Sequence, residues 1–492
     1  MELKRVTCII LLFMLMCGSP FAKVAAQERE FRGVWIQAVN GQLEGTAVQT
    51  QATLRCWLDS LQKVYVNNIF FQVRVECDAL YKSPFEPWSR FLTGGKQGDA
   101  PDADWDPLQF MVDECHKRSM ELHAWINPYR ACTATTKELA ENHIINLKPE
   151  NCFKYGDLTL LNPALQENRD YICKIAADIV TRYDVDGIHI DDYFYPYPES
   201  GRKIPDMEDF KRDPRGFTDI GDWRRDNVNL FVEQFYKTLK SIKPYLKIGV
   251  SPFGVYRNAG KDFPEGSRTN ALENYSGLYA DVLLWARNGW TDYLVPQLYW
   301  NIGYSRADYE TLVEWWASAM DTIPQCNLYI GEDVQRTISE NQTCAKYDLK
   351  RKVNSNSKTS PVKGTVLWLV PLVVEDAGGY RTTLRNNYWT APAVQPQYEK
   401  MKGRCPSAPK VRIVRKNGIV YLKWTSGRSG RSVEKPYWYA VMANGKYLTV
   451  TKETEFALPY ELSTFVARCK ADLSVEAIGR NGSVSRVVRV TK

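Results

Sequence analysis

The stretch "DGIHIDDYFYP", residues 186–196, decides the fold. It reads as a short strand, yet Gly187, His189 and Asp191 alternate with Ile188 and Ile190, and a second acid, Asp192, follows at once. Parallel strands buried on both faces read as near-continuous apolar runs. A histidine and a carboxylate sharing one face raise the question of what that face looks at.

The flanking sequence supplies the setting. From residue 31 to about 390, short apolar strands alternate with amphipathic helices. The candidate strands are 31–39, 68–74, 122–129, 187–191, 247–253, 293–300, 327–332 and 364–372. Between the third and fourth, "NRDYICKIAADIVTRY" (168–183) carries an apolar stripe at helical spacing: Tyr171, Ile172, Ile175, Ala176, Ile179, Val180 and Tyr183. Eight strand–helix units of this kind predict an α/β fold, a (β/α)8 TIM barrel with long loops. A doubly wound open sheet is the rival, but no GxGxxG follows the first strand.

Barrel residues alternate between the interior and the helix layer. Leu122, Ala124 and Ile126 suit the helix side, which turns His123, Trp125 and Asn127 inward. The same parity sends inward Gln72 and Arg74 on strand two, and His189 and Asp191 on strand four. It does the same for Gly249, Ser251 and Phe253 on strand five, and for Gln297 and Tyr299 on strand six. Polar inward positions thus gather at the C-terminal strand ends, where active sites of this fold sit.

Beyond the barrel, residues 396–409 read as a linker rich in Pro and Lys. Residues 410–492 form paired strands with Asn-Gly turns, a small all-β sandwich resembling a fibronectin type III module with Trp424 in its core. The barrel itself is expected over 27–395 and a cleaved export signal over 1–26: Lys4 and Arg5, an apolar run too short to span a bilayer, then "KVAAQ". These features predict an exported protein, periplasmic or outer-membrane-associated. Cys17 is a candidate for lipid attachment, although Met16 stands where a small residue is usual. The ten cysteines after the signal show no CxxC pair or Cys/His cluster.

The net charge of +7 is unevenly spread. Residues 407–492 hold sixteen Lys and Arg against six Asp and Glu, a net +10 on an acidic body. An anionic surface or polymer is the partner such a module suits, with a merely solvated basic face as the alternative; no nucleic-acid signature accompanies the charge.

The chemistry follows from what remains. The four histidines lack metal-ligand spacing, and no GxSxG elbow or Walker loop occurs, so neither a metal nor a cofactor is expected. Carboxylates, amides, arginines and aromatics at strand ends suit glycoside cleavage. Asp191 is the best-placed acid, with Asp192 beside it as a second acid or a loop cap, and Glu332 after strand seven as a third. Glu76 and Asp78 follow strand two. The expected substrate-binding set is Arg74, Asp78, Trp125, Asn127, Arg130, His189, Tyr193, Arg257, Gln297, Tyr299 and Trp300. His189 lies one layer deeper than Asp191, where a hydrogen-bonded core histidine is the alternative.

Several motifs then point one way. "FRGVWI", "DALYKSPFEPWSRFLTG", "HAWINPYR", "DVDGIHIDDYFYP", "DWRRDNVN", "SPFGVYRN" and "DYLVPQLYWNIG" resemble, in order, the glycosyl-hydrolase-like family 10 proteins, the DUF187 group. The resemblance covers most of residues 31–335. It implies a (β/α)8 barrel of bacterial envelopes, some of whose members cleave peptidoglycan strands stripped of their stem peptides. Where the family usually reads "YIGQ", this chain reads "YIGE", so Glu332 is not an acid the resemblance supplies; segment 364–373 also departs from the usual ending. The expectation is an exported glycosidase of a polysaccharide, most of all peptide-free peptidoglycan, whose lactyl carboxylates would be held by Arg74, Arg257 or the basic module. A barrel that binds glycan without cutting it, or that cuts another N-acetylated polysaccharide, is the alternative.

Overall fold

Gly364 is where the barrel closes. In the computed structural model a Cβ at this position would lie 2.1 Å from the Phe31 carbonyl oxygen, so only glycine lets the last strand reach the first. The structure describes residues 29–339, 349, 351–353, 355–356, 358–401, 405–427, 433–459 and 472–490. The expected export signal and Cys17 lie outside the described residues.

Eight parallel strands close on themselves: β1 (Phe31–Ile36), β2 (Asn68–Arg74), β3 (Glu121–Ile126), β4 (Gly187–Ile190), β5 (Lys247–Val250), β6 (Tyr293–Leu294), β7 (Asn327–Asp333) and β8 (Val362–Trp368). Every neighbour is the next strand in sequence, and β8 returns to β1 through Phe31↔Gly364 and Val34↔Leu367. This is the expected TIM barrel.

Two sets of side chains alternate along these strands. Val34, Ile69, Leu122, Ile188, Ile248 and Leu328 join the apolar layer under the helices. Phe31, Trp35, Phe70, Trp125, Tyr293 and Tyr329 fill the axis instead. So many rings fit only because glycines face them. A Cβ on Gly187 would lie 2.3 Å from His123 Nδ1, and one on Gly249 2.0 Å from the Tyr293 ring. The glycine of "DGIHIDD" is therefore a vacancy that His123 occupies.

The outer helices start where a capping side chain starts them. Thr46 and Gln49 form a reciprocal capping box at α1 (Ala47–Gln62). Asp106 caps α2 (Pro107–Lys117), which begins with proline. In α3 (Gln166–Arg182) the expected stripe is the buried face: Ile172, Ile175, Ala176, Ile179 and Val180. Asp219 caps α4 (Ile220–Ile242), the longest helix described.

The N-terminal end of the barrel is sealed by the segment that follows the last strand. The Tyr398 ring lies inside the floor with its hydroxyl 2.8 Å from that of Tyr329, and Asn68 donates to Gln395 Oε1 at 3.0 Å. Lys400 pairs with Asp292 at 3.0 Å. Part of the stretch read as a linker is thus built into the barrel, because Tyr398 and Lys400 satisfy polar groups at its base.

The chain then forms two antiparallel sheets. One has the order β9–β10–β13, from β9 (Lys410–Lys416), β10 (Ile419–Thr425) and β13 (Glu455–Ala457). The other has the order β12–β11–β14–β15, from β11 (Trp438–Ala443), β12 (Lys446–Thr451), β14 (Leu473–Ile478) and β15 (Val488–Arg489). Trp424 packs between them with Leu422, Val441 and Val475. Asn417-Gly418 and Asn444-Gly445 both take positive φ at the two hairpin turns, as a two-residue primed turn requires.

This module docks on the barrel's base. Tyr437 Oη donates to Asp186 Oδ1 at 2.6 Å, and its oxygen lies 2.8 Å from His116 Nε2. Asp186 also accepts from the Leu122 amide at 2.9 Å, and Arg480 pairs with Asp184 at 2.6 Å. Although burial opposes its charge, His116, Arg480 and Lys247 hold the Asp186 carboxyl well below the usual range. Replacing Asp186 by alanine strands three polar partners inside the joint and is expected to cost about 3–5 kcal/mol in denaturant unfolding. The exposed Asp184→Ala change is expected to cost under about 1 kcal/mol.

Candidate active site

At the opposite end the strand tips surround a cleft of about 410 Å³. β1 contributes Trp35 and, just beyond it, Gln37, Val39 and Asn40. β2 contributes Gln72, and β3 contributes Trp125 and the following Asn127 and Arg130. Past β4 come Asp191, Asp192 and Tyr193; past β5, Ser251; past β6, Gln297 and Tyr299; and β8 ends in Trp368. β7 supplies space instead, since a Cβ at Gly331 would lie 3.0 Å from the Trp35 indole.

Four rings make the walls. Trp368 stacks with Tyr299 at 6.5 Å between centroids and meets Trp35 and Trp125 edge-on at 6.4 and 6.2 Å. Amides bridge the gaps: Gln72 donates to Asn127 Oδ1 at 3.1 Å and accepts from the Ala38 amide at 2.9 Å. Gln297 donates to the Ser251 carbonyl at 2.8 Å. Such a cleft offers flat apolar faces and fixed polar groups, the surface a sugar ring presents in complement.

Asp191 and Asp192 are the two carboxylic acids in it among the described residues, and both are almost wholly buried, at 3% and 2% exposure. Their surroundings differ. Asp191 accepts from the Trp125 indole N–H at 3.1 Å and from the Tyr193 amide at 3.4 Å. Burial and then the charge of Asp192 push its carboxyl up to about 8, against the opposing pull of Arg130. Asp192 accepts from the Tyr197 hydroxyl; burial raises it as well, opposed by Tyr197 and Gln297. Like charges this close do not both ionise readily, so near neutral pH the pair holds a proton, and Asp191 is the group whose surroundings keep it. A protonated acid beside a more ionisable one is the division of labour that acid-catalysed bond cleavage needs.

The cleft floor is a hydrogen-bonded stack. His189 Nε2 lies 3.0 Å from Ser251 Oγ and takes the Trp35 indole N–H at 3.2 Å. Burial drives both His189 and His123 below the usual imidazole range, so neither carries charge.

The structure brings Asp191, Asp192, Trp125, Asn127, Arg130, Tyr193, Gln297 and Tyr299 into this one cleft. It places the other expected residues elsewhere, each for an identifiable reason. Glu332 points into the helix layer, where Thr337 and Tyr380 donate to it at 3.0 and 2.9 Å; Tyr329 and Gly331 hold the inward positions of β7. Arg74 is turned out of parity by a bulge between Gln72 and Arg74, and binds Glu86 at 2.8 Å and the Asn127 and Pro128 carbonyls. Asp78 closes its own loop, accepting from the Glu76 amide at 3.0 Å and Gln97 at 3.3 Å, with burial raising it to about 6. Glu76 is taken up by Arg90, Thr133 and Thr136. His189 is fully buried beneath the cleft, not lining it. Arg257 stacks over Phe263 and Tyr275 at 4.1 and 4.5 Å, and Trp300 packs edge-on to Phe253 at 5.5 Å, both outside the lining.

Sequence reasoning missed Trp35, Gln37, Tyr197 and Trp368. Trp35 and Gln37 share the inward parity of Phe31 and Gly33, so the strand rule could have found them. Tyr197 sits in a loop without period, and no pattern announces it. Among the described residues, no group of three or more His, Cys, Asp or Glu is placed to hold a metal ion.

A closed parallel barrel whose mouth holds two buried acids among tryptophans has the make-up of a glycosidase. The model of the family described as glycosyl hydrolase-like 10 matches residues 30–348, and the chain belongs to that family. It is 37% identical over 442 residues to glycosyl hydrolase YngK of Bacillus subtilis, covering 87% of this chain and 85% of that protein. Against glycosyl hydrolase DigH of Escherichia coli K12 it is 34% identical over 383 residues, covering 71% and 85%. The glycoside hydrolase domain of PgaB (BpsB) from Bordetella bronchiseptica aligns with a TM-score of 0.47 at 11% identity, over 72% of this chain and 99% of that one. A likeness of that size bears no weight on activity. By class, the protein is a glycosidase.

Two outcomes follow from the acid pair. The folded protein holds a proton on Asp191 that the unfolded chain releases near the ordinary value of 3.8, so this group lowers stability progressively from there up to about pH 8. Asp191→Asn is therefore expected to raise the melting temperature by a few degrees at pH 9 and little at pH 4, in paired thermal melts. The Trp125 N–H favours the ionised form of Asp191. Trp125→Phe is expected to move the alkaline limb of the pH–rate profile to higher pH.

Proposed function

We propose that the protein is an exported glycosidase of N-acetylated envelope glycan, with peptide-free peptidoglycan strands as its substrate. The observation that carries this is an adjacent acid pair with no third carboxylic acid lining the cleft among the described residues. Hydrolysis through an enzyme nucleophile, or with a water-activating base, uses two carboxyl groups flanking the bond from its two sides. Neighbouring acids suit a substrate that brings its own nucleophile, the acetamido oxygen beside the anomeric carbon.

In this reading protonated Asp191 gives its proton to the leaving glycosidic oxygen as that bond breaks. Ionised Asp192, steadied by Tyr197, accepts the acetamido N–H and turns the carbonyl oxygen onto the anomeric carbon. The bond from that oxygen to carbon forms a cyclic oxazolinium ion, and the pair of walls formed by Trp35, Trp125, Tyr299 and Trp368 shields it. Water then adds to the anomeric carbon, returns its proton to Asp191 and reopens the ring, with net retention of configuration. Family membership and the relatives named glycosyl hydrolase support the reaction class.

The C-terminal module fits the same setting. Its sheets of three and four strands around Trp424 support a fibronectin type III-like reading. Lys410, Arg412, Arg415 and Lys416 lie exposed along β9, which suits contact with an anionic envelope polymer.

The test is product analysis by mass spectrometry after incubation with intact and with amidase-stripped peptidoglycan. Shorter sugar oligomers are expected from the stripped polymer alone; none from either would remove the substrate assignment. Asp191→Asn is expected to lose about 10²–10⁴-fold on glycan. It should lose far less on an aryl N-acetylglucosaminide, whose leaving group needs no proton. Asp192→Asn is expected to fail on both.

A further inference from the structure

We propose that Arg130 is the residue through which the cleft recognises a carboxylate carried by its sugar substrate, so that it selects acidic N-acetylated glycans over neutral ones. This rests on the glycan reading above and goes beyond it by assigning a specificity determinant. The chemistry recognised is an ether-linked carboxylate on an N-acetylhexosamine, the lactyl group of a peptide-free strand.

Arg130 is the one cationic side chain lining the cleft among the described residues. The arginines around it are engaged: Arg74 with Glu86, Arg90 with Glu76, Arg224 with Asp206. Arg130 has no carboxylate within ion-pair distance among those residues, although Asp191 and Asp192 share its cleft. Its guanidinium carbon instead lies 4.0 Å from the centroid of the Tyr193 ring, and the residue is half-buried. Contact with Tyr193, to which it also hydrogen-bonds, positions the guanidinium, and a planar fork held in this way can meet a carboxylate with two parallel hydrogen bonds.

The backbone is equally set. Arg130 begins a short strand, Arg130–Cys132, that pairs with Leu160, and its carbonyl takes the Cys77 thiol at 3.4 Å. The ring beneath it belongs to Tyr193, whose amide donates to Asp191. A carboxylate gripped by Arg130 is therefore registered against the acid pair through one residue, and belongs to a reacting sugar or its immediate neighbour. The two acids have their own partners in Trp125, the Tyr193 amide and Tyr197, and Asp191 stays raised despite the arginine. Its charge also favours the ionised form of both acids, a counterion role that the experiment separates from recognition.

The experiment compares stripped peptidoglycan oligomers with the same oligomers after the lactyl carboxylates are converted to amides, and with hyaluronan oligomers, whose carboxylate is a uronate. Wild-type protein is expected to favour the carboxylate form over the amide by about tenfold or more in kcat/KM, a span that one charge-assisted pair supplies. Arg130→Gln is expected to erase that ratio and Arg130→Lys to keep part of it, with hyaluronan left uncut. Equal losses of Arg130→Gln on both oligomers, with the alkaline limb displaced upward, would make Arg130 the acids' counterion and overturn the proposal. So would a wild-type protein indifferent to amidation, or one that cuts hyaluronan as well. If neither oligomer is cut, the catalytic reading has failed and equilibrium binding decides. Tighter binding of the carboxylate form by wild type, lost in Arg130→Gln, supports the recognition role; equal or no binding sinks it.

Discussion

The interior of this barrel depends on side chains that are missing. Gly187 and Gly249 stand beside the His123 and Tyr293 rings, and any Cβ there would collide with them. With both rings on the axis, one set of hydrogen bonds follows. The Trp35 indole can only donate, so His189 accepts through Nε2 and keeps its proton on Nδ1, which faces the Tyr293 hydroxyl at 3.2 Å. That hydroxyl in turn lies 2.8 Å from His123 Nδ1. Ser251 Oγ lies 3.0 Å from the same nitrogen and shares its single lone pair with the indole. Two neutral histidines and a tyrosine thus hold the floor under the acids without adding charge, and Asp191 can remain a buried proton store.

Much of this was legible in the strands. All eight starts were placed within two residues, since each is a short apolar run with turn residues beside it, although the sixth was read as 293–300 and spans only Tyr293–Leu294; the period-2 rule turned Trp125, Asn127 and Gln72 correctly toward the axis. The rule failed where the backbone broke it: the bulge between Gln72 and Arg74 rotates one arginine into the helix layer, and nothing in "NIFFQVR" marks the extra residue. With Glu332 the rule held, and attraction to an acid at a strand end overrode it. Tyr329 and Gly331 were already the inward pair, so the residue between them had to face out. Asp78, Arg257 and Trp300 sit in loops, where position comes from tertiary partners and no periodicity reports it.

The two ends of the barrel handle charge in opposite ways. At the base, Asp186, His116, Tyr437 and Arg480 satisfy one another across the joint to the C-terminal module, and Asp292 is matched by Lys240 and Lys400. At the mouth the acids receive hydrogen bonds from neutral groups and, among the described residues, no ion pair. The first arrangement fixes geometry and holds Asp186 and Asp292 ionised; the second leaves protons that can be exchanged.

The filled axis also dictates how a polymer can approach. Rings occupy the barrel from Phe31 to Trp35, and Tyr398 corks the far end. Among the described residues the axis is no passage, so a sugar chain has no way to thread along it. It must settle across the rim sideways and lift off by the same route. Both fragments of a cut strand therefore leave through the door by which the strand came in.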